Sequence, residues 1–367
     1  MKNLTFVLDI GSSKITLLAC QVKKGRSAII TSATESYDGF MDGEFFSTEQ
    51  VSDVVSNLIK IMSDRLNKSV SNLYIGVPSE FCACVCKRVK RTFVPAQHLN
   101  EQTIESLFDG VSDFRQKDEY EVISFSPLQF ELDGLVSDKL TSKRISQFSM
   151  DCSYVLVKKN FVLFIQDICN KNGIEDINFV STALAQANFA RANENNKLSP
   201  IAIVDVGHIT TSVTVSKGDG LLLLGSFSLG GGHITGDLMQ VNNLSYTEAD
   251  LIKRKVVLTV QSKRDEKYIT YNNGKPIKAI INITNDVVKA RLENIASIIN
   301  RVLSNDAFKD MPIYLTGDGI CNFRGIINLF EAVCNRKIYI LKSHLHNGED
   351  KYQTSKIALV NIIGDLV

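Results

Sequence analysis

Two stretches far apart in the chain place an aspartate, a glycine and hydroxyl side chains at the end of an apolar run. LTFVLDIGSSKITLLACQV carries Asp9, Gly11, Ser12, Ser13 and Lys14, and SPIAIVDVGHITTSVTV carries Asp205, Gly207, Thr210 and Thr211. In each, an apolar strand runs into a tight polar turn and out into a second strand, which is the pattern of a hairpin. Backbone N–H groups at such a tip converge on anions, and glycine lets a phosphate approach without a side-chain clash. The hydroxyls add donors and Lys14 a positive charge. Asp9 and Asp205 suit Mg²⁺, which keeps most of its waters and needs few direct ligands. A single Asp-x-Gly turn reads as a hairpin and no more. Two of them, each behind an apolar strand, point to a nucleotide phosphate tail and its metal.

Further glycines extend this chemistry. FSLGGGHITGDL sets Gly230, Gly231 and Gly232 before a helix expected to begin near His233, and unpaired N–H groups at a helix start favour anions. YLTGDGICNFRGI puts Gly317 and Gly319 directly after a strand, where a base or ribose would lie against bare backbone. In TEADLIKRK, which also carries Glu248, Asp250 and Lys253 stand three apart, so one helical face offers an acid and a base to ribose hydroxyls. Taken alone, that pair reads as a solvated ion pair. Cys82, Cys84 and Cys86 alternate in FCACVC and share one face of a strand. They read as small hydrophobes facing a core rather than as a soft-metal site, because no further Cys or His follows at finger spacing.

The elements that must position these residues have to fit a chain of 367 residues, enough for two or three domains. Apolar residues at 44% and charged residues at 22% are the balance of a folded chain, which excludes intrinsic disorder. With 41 Lys+Arg against 40 Asp+Glu, nothing in the bulk charge demands nucleic acid. The eight cysteines do not read as a disulfide framework in so long a chain. The apolar start is interrupted by Asp9 and Lys14, unlike a secretory signal, and no apolar run reaches the length of a membrane span. The expected location is cytoplasmic.

STEQVSDVVSNLIKIMSDRL has the helical period, with Val51, Val54, Val55, Leu58, Ile61 and Met62 on one face behind a Ser/Thr cap and Glu49. SNLYIGVP is a short strand. NFVLFIQDICNKNG is a helix stopped at Asn172 and Gly173. Between them, strand-like FCACVCKRVKRTFV, helix-like NEQTIESLFDGVSDF and strand-like EVISFSPLQFELDG and SYVLVKK form a small α/β insertion. RANENNKLSP is a polar linker between halves, NDVVKARLENIASIINRVL a long amphipathic helix, and the chain closes with an apolar helix from Thr354.

In this order the pieces resemble the actin-like ATPase superfamily and, more narrowly, the bacterial FtsA family of cell-division proteins. LDIGSSKI resembles the first phosphate loop, VDVGHITTSVTV the second and YLTGDGICNFRG the adenosine motif; SNLYIGVPSEF, FSPLQFELDG, FSLGGGHITGDL, EADLIK and VVKARLENI follow in the family's order. The resemblance covers nearly the whole chain. It implies an α/β, actin-like (ribonuclease H-like) fold of two halves with an FtsA-type subdomain inserted in the first. The implied boundaries are 1–79 and 158–198 for the first half and 80–157 for the insertion. They are 199–233 and 289–367 for the second half, with its final helix returning to the first, and 234–288 for a small upper subdomain.

The resemblance also implies ATP and Mg²⁺. Gly11, Ser12, Ser13, Lys14, Gly207, Thr210, Thr211, Gly231 and Gly232 then serve the phosphates, Asp250 and Lys253 the ribose, and Gly317, Gly319 and Ile320 the adenine. Asp9 and Asp205 serve the metal and, with Gln186, catalysis. Hydrolysis on this fold takes a Gln or Glu that positions water, and Gln186 in STALAQANFARA is the nearest, so at most a slow ATPase is expected. Three departures stand out. His208 and Ile209 replace glycines of the second loop, Ser212 replaces an acid, and Asp318 replaces a glycine of the adenosine motif. The insertion also lacks the family's Pro-x-Gly-Met segment.

The function implied is a nucleotide-binding scaffold that assembles head to tail and links division proteins such as the tubulin-like FtsZ, whose C-terminal peptide would meet the upper subdomain. There Lys253, Arg254, Lys255, Lys263 and Arg264 suit an acidic tail. The alternatives are a PilM-like scaffold of type IV pilus assembly, a sugar or acetate kinase on the same fold, and a nucleotide-free pseudo-ATPase. Neither nucleic acid nor autonomous membrane binding is expected. Ile357, Leu359, Val360, Ile362 and Ile363 crowd too many faces for a lipid-surface helix, so recruitment to the division site at the membrane would come through partners.

Overall fold

The computed structural model describes residues 4–23, 26–100, 102, 119–140, 143–192, 194–260, 262–343 and 351–366. The first strands, β1 (Thr5–Ile10), β2 (Lys14–Lys23) and β3 (Arg26–Ser36), form a meander, followed by the small hairpin β4 (Phe40–Met41) and β5 (Glu44–Phe45). Helix α1 (Thr48–Leu66) is capped by Ser47, whose side chain accepts the Gln50 N–H, and ends at left-handed Asn67. Its buried face is Val51, Val54, Val55, Leu58, Ile59 and Met62. Ile59 takes the place expected of Ile61, which is half-buried at the edge of the stripe.

Next come β6 (Asn72–Val77), β7 (Cys82–His98), β8 (Tyr120–Leu132), β9 (Leu135–Ser137) and β10 (Arg144–Lys158). After these, α2 (Lys159–Lys171), β11 (Asp176–Ser181) and α3 (Thr182–Arg191) complete the first half. The second half contains β12 (Ile201–Val206), β13 (Thr211–Lys217), β14 (Gly220–Phe227), α4 (Gly231–Asn242), α5 (Tyr246–Lys253), β15 (Lys267–Asn272), β16 (Lys275–Ile280) and α6 (Ile281–Val302). It continues with β17 (Ile313–Thr316), α7 (Ile326–Cys334), β18 (Ile338–Ile340) and α8 (Thr354–Leu366).

Two five-stranded sheets repeat one plan, β11-β6-β1-β2-β3 and β14-β13-β12-β17-β18. The central strand of each pairs antiparallel with its hairpin partner and parallel with a later strand. Asp9 thereby stands between Thr16 and Gly76, and Asp205 between Ser212 and Thr316. The two aspartates occupy equivalent registers, as the twin motifs require. Every residue of β1 is buried, as expected of a strand covered on both faces.

The third sheet, β7-β10-β8-β9, has its own core around Val89, Phe130, Phe148 and Met150. The expected helix of the insertion falls mostly over 103–114, outside the described residues. This sheet docks on the hairpin of β13 and β14. Arg88 forks onto Asp151 at 2.5 and 2.7 Å, Gln129 donates to Asp151 at 2.7 Å, and Lys217 donates to Gln129 at 2.8 Å. The alternating cysteines face that junction, where Cys82 and Cys84 pack as small hydrophobes against a buried core. Cys84 and Cys86 donate to Leu221 O at 3.1 and 3.4 Å, and Cys86 is exposed. Alternation along the strand sets their common face but not what lies against it.

The polar linker after Ala192 is likewise tied down. Arg191 is buried, its Nε bonds Ser216 Oγ at 2.7 Å, and its guanidinium also reaches the carbonyls of Ser216, Lys197 and Ser199. The final helix lies beside α3 on the face of the first sheet opposite α1. Ala358, Leu359, Val360 and Ile363 are buried against Val7, Leu18, Cys20 and Val180, with Ala185 of α3.

Candidate functional site

The two Asp-x-Gly turns meet at the line between the halves. In each turn the glycine N–H is used locally, Gly11 to Lys14 O and Gly207 to Thr210 O, both at 2.9 Å. Tyr37 braces the first turn by donating its hydroxyl to Gly11 O at 2.7 Å. Across the divide, Ser12 Oγ accepts from the N–H groups of His208 and Ile209, at 3.2 and 3.1 Å. The amides that would form an anion nest in the second turn are therefore bonded to the first.

Helix α4 starts at Gly231, two residues earlier than expected, with Gly230 as its cap. Its first donors are also taken. Gly231 N–H bonds Gly207 O at 2.9 Å and Gly232 N–H bonds His208 O at 2.7 Å. Gly319 N–H donates to Val206 O at 2.9 Å. The three segments pack backbone to backbone, since a Cβ on Gly231 would lie 2.5 Å from Gly319 Cα. The glycines that the sequence suggested for phosphate and adenosine thus serve here to bring these segments together.

The carboxylates have partners of their own. Gln186 Nε2 donates to Asp205 Oδ2 at 2.6 Å and to Thr354 Oγ1 at 3.3 Å, so the expected water-positioning amide links α3 to β12 and α8. Burial pushes the Asp205 carboxyl up to about 6 against the pull of that bond, and Asp9 and Asp318 add to the rise. Asp9 Oδ2 accepts from Ser355 Oγ at 2.8 Å. Asp9, Glu80, Gln186, Asp205 and Ser355 surround a cavity of about 100 Å³, small beside the roughly 300–1,000 Å³ usual for a small-molecule site.

At the pair expected to serve a ribose, Lys253 Nζ bonds Thr235 Oγ1 at 2.7 Å, Gly231 O at 3.2 Å and Asp250 at 2.8 Å. Burial pushes the Asp250 carboxyl up, but Lys253 and Arg254 together hold it below the usual range. Lys253 therefore points inward, away from the basic cluster expected of it, whereas Lys263 and Arg264 are exposed. Lys14 is exposed. Thr211 is fully buried and donates to Leu229 O, and Ile320 is sealed in the core of the second half. Neither lines a cleft. Ser13, by contrast, holds Tyr37 through its carbonyl.

Comparison with known proteins fits this geometry. A profile of the family described as "Cell division protein FtsA" matches residues 202–360. The chain is 20% identical over 347 residues to the cell division protein FtsA of Enterococcus faecalis (strain ATCC 700802 / V583), covering 91% of this chain and 78% of that protein. It is 20% identical over 386 residues to FtsA of Buchnera aphidicola subsp. Baizongia pistaciae (strain Bp), covering 99% and 90%. Among solved structures, the PilM-PilN type IV pilus biogenesis complex superposes with a TM-score of 0.66 at 14% identity, over 100% of this chain and 99% of that one. MreB 5 of Spiroplasma citri bound to AMPPNP gives 0.56 at 12%, over 99% and 96%.

The fold is that of the actin-like ATPases.

In an actin-like cleft the expected cofactor is Mg-ATP, and the arrangement described above does not fit it. The amides of Gly11, Gly207, His208, Ile209, Gly231 and Gly232, with Lys253 and Asp205, are engaged within the chain. Sequence reasoning did bring Asp9, Gly11, Ser12, Gly207, Thr210, Gly231, Gly319 and Gln186 to one actin-like junction. It missed Tyr37, Glu80, Tyr246, Thr354 and Ser355, which carry no motif and reach the site only through the tertiary fold. No described helix is long and apolar enough to cross a membrane.

Proposed function

We propose that this chain is an actin-like assembly scaffold whose two halves and inserted sheet act as one rigid unit, and that it does not work as a turnover enzyme. The observation that carries this reading is the bond from Gln186 to Asp205. The residue best placed by sequence to orient a hydrolytic water instead joins the halves. The Arg88–Asp151–Gln129–Lys217 chain supports the same reading by bracing the inserted sheet against the second half.

For the partner, two readings follow the relatives. The FtsA-named relatives and the FtsA profile favour a division scaffold that self-associates and receives the acidic C-terminal peptide of an FtsZ-like protein at the upper subdomain, where Lys263 and Arg264 are exposed. The end-to-end likeness to the PilM-PilN complex favours a scaffold that takes a short segment of a pilus-assembly protein. Because the likeness spans the inserted sheet as well, the second reading has the firmer structural support.

Sedimentation velocity of the purified chain, with titrations of both peptides, tests this. Concentration-dependent oligomers and saturable binding of one peptide are expected, with ATP hydrolysis below about 1 s⁻¹, the rate at which ordinary enzyme turnover begins. A monomer at all concentrations that binds neither peptide, or hydrolysis well above that rate, would sink the scaffold reading.

A further inference from the structure

His208 stands where the resemblance expects a glycine, and its side chain has a built environment. Its Nε2 meets the Tyr246 hydroxyl at 2.9 Å, and the two rings lie 6.2 Å apart in an edge-on arrangement. The imidazole covers the start of α4, because a Cβ on Gly232 would come within 2.8 Å of Nε2. Tyr246 is the first residue of α5, the helix that carries Asp250 and Lys253. The ring therefore spans the space between the second phosphate turn, the helix-start glycines and the ribose helix. Those are the surfaces between which a nucleotide would have to lie.

The backbone of the same residue closes the remaining contacts. His208 N–H goes to Ser12 Oγ, and His208 O takes the Gly232 N–H at 2.7 Å. Ile209, which stands in for a second glycine, reaches the other way. Its Cδ1 lies against Gly39 of the first half, 2.7 Å from where a Cβ would stand. One turn thus braces the upper subdomain through His208 and the first half through Ile209. Burial and the charge of Lys253 lower the basicity of His208, which keeps the ring neutral and able to share a hydrogen bond with the Tyr246 hydroxyl.

We propose that His208 and Tyr246 form a plug that occupies the nucleotide's place, so that the two turns and the start of α4 stay joined without ATP. This deepens the scaffold reading and rests on it, since a scaffold whose segments are already joined needs no nucleotide to set its shape. When the plugged arrangement outweighs the unplugged one by about a hundredfold, apparent affinity falls by a similar factor. Removing the plug lowers that barrier.

Calorimetric titration with Mg-ATP and with Mg-ADP tests the plug in the wild type, His208→Gly and Tyr246→Ala, each confirmed as folded by circular dichroism. Wild type is expected to show no saturable binding below millimolar nucleotide, and at least one variant is expected to bind tenfold or more tightly. Micromolar binding by the wild type would overturn the proposal. So would two folded variants that bind no better than the wild type. Sedimentation of the same wild-type sample without nucleotide reads the scaffold function separately. A failure to self-associate there counts against the scaffold and leaves the nucleotide titrations to decide the plug.

Discussion

Leu359 of the final helix sits directly over Gly76 of β6. A Cβ on Gly76 would come within 2.5 Å of Leu359 Cδ1 and 3.0 Å of Thr182 Oγ1. Gly76 is also the residue that pairs with Asp9 across the sheet. The helix that ends the described chain therefore presses on the strand behind the first Asp-x-Gly turn. Gly76→Ala is expected to cost about 1–3 kcal/mol through overpacking and Leu359→Ala about 2–5 kcal/mol through the cavity it leaves. Because each change relieves the other, urea denaturation should show the double variant to be less destabilised than the sum of the two. Strict additivity would show that the contact is not what holds the helix.

The same burial bears on membranes. With Ala358, Leu359, Val360 and Ile363 turned into the first half, little apolar surface of this helix is left for lipid. Cosedimentation with anionic liposomes is expected to leave the protein in the supernatant. Robust pelleting that depends on residues 357–366 would contradict the packing.

Asp205 gives a pH signature. Its carboxyl titrates near 6 in the folded chain because it is buried, against about 3.9 for an unperturbed aspartate. Between those values the folded state holds a proton that the unfolded state has lost. This contribution to stability is therefore complete below about pH 4, falls as pH rises, and levels off above about pH 6, a loss of roughly 3 kcal/mol at most. Asp205→Asn removes it. Unfolding free energies from pH 4 to 8 are expected to slope less steeply in the variant than in the wild type, and parallel curves would show that Asp205 is ionised throughout.

Arg191 is the fixed point of the connection between halves. Replacing it with alanine leaves Ser216 Oγ and three carbonyls without their donor, and hydrogen bonds to a charged group are worth about 1.5–3 kcal/mol each. The melting temperature is expected to fall markedly in Arg191→Ala and only partly recover in Arg191→Lys, since lysine lacks the planar fork. A lysine variant as stable as the wild type would reduce the role of Arg191 to charge.

The cysteines should differ sharply in reactivity. Cys86 is exposed, and its hydrogen bond with Cys84 holds its thiol below the usual range, while burial pushes Cys20 and Cys82 up to about 12. A thiolate is the reactive form. Titration of the native protein with an aromatic disulfide is expected to show one fast thiol that Cys86→Ser abolishes. Several fast thiols in the native protein would mean that the inserted sheet does not stay docked on β14.

Local and periodic features were readable from the chain alone. The apolar runs before Asp9 and Asp205 specify buried central strands, because a strand covered on both faces must be apolar throughout. The Ser/Thr cap with Glu49 marks the start of α1 through chemistry that acts within a few residues. The twin motifs, read in order, were enough to reach the actin-like fold. Asp250 and Lys253 are neighbours on a helix, so their pairing was readable too. How the polar groups at the two turns are engaged depends instead on the folded molecule. The bonds from His208 to Ser12, from Gln186 to Asp205 and from Ser355 to Asp9 join residues between 19 and 346 positions apart. A hydrogen bond needs its partners aligned within about 3 Å, and no pattern along a chain encodes that alignment. Glycine at 231 and 319 is compatible both with a bound phosphate and with a neighbouring backbone; the fold put the backbone there.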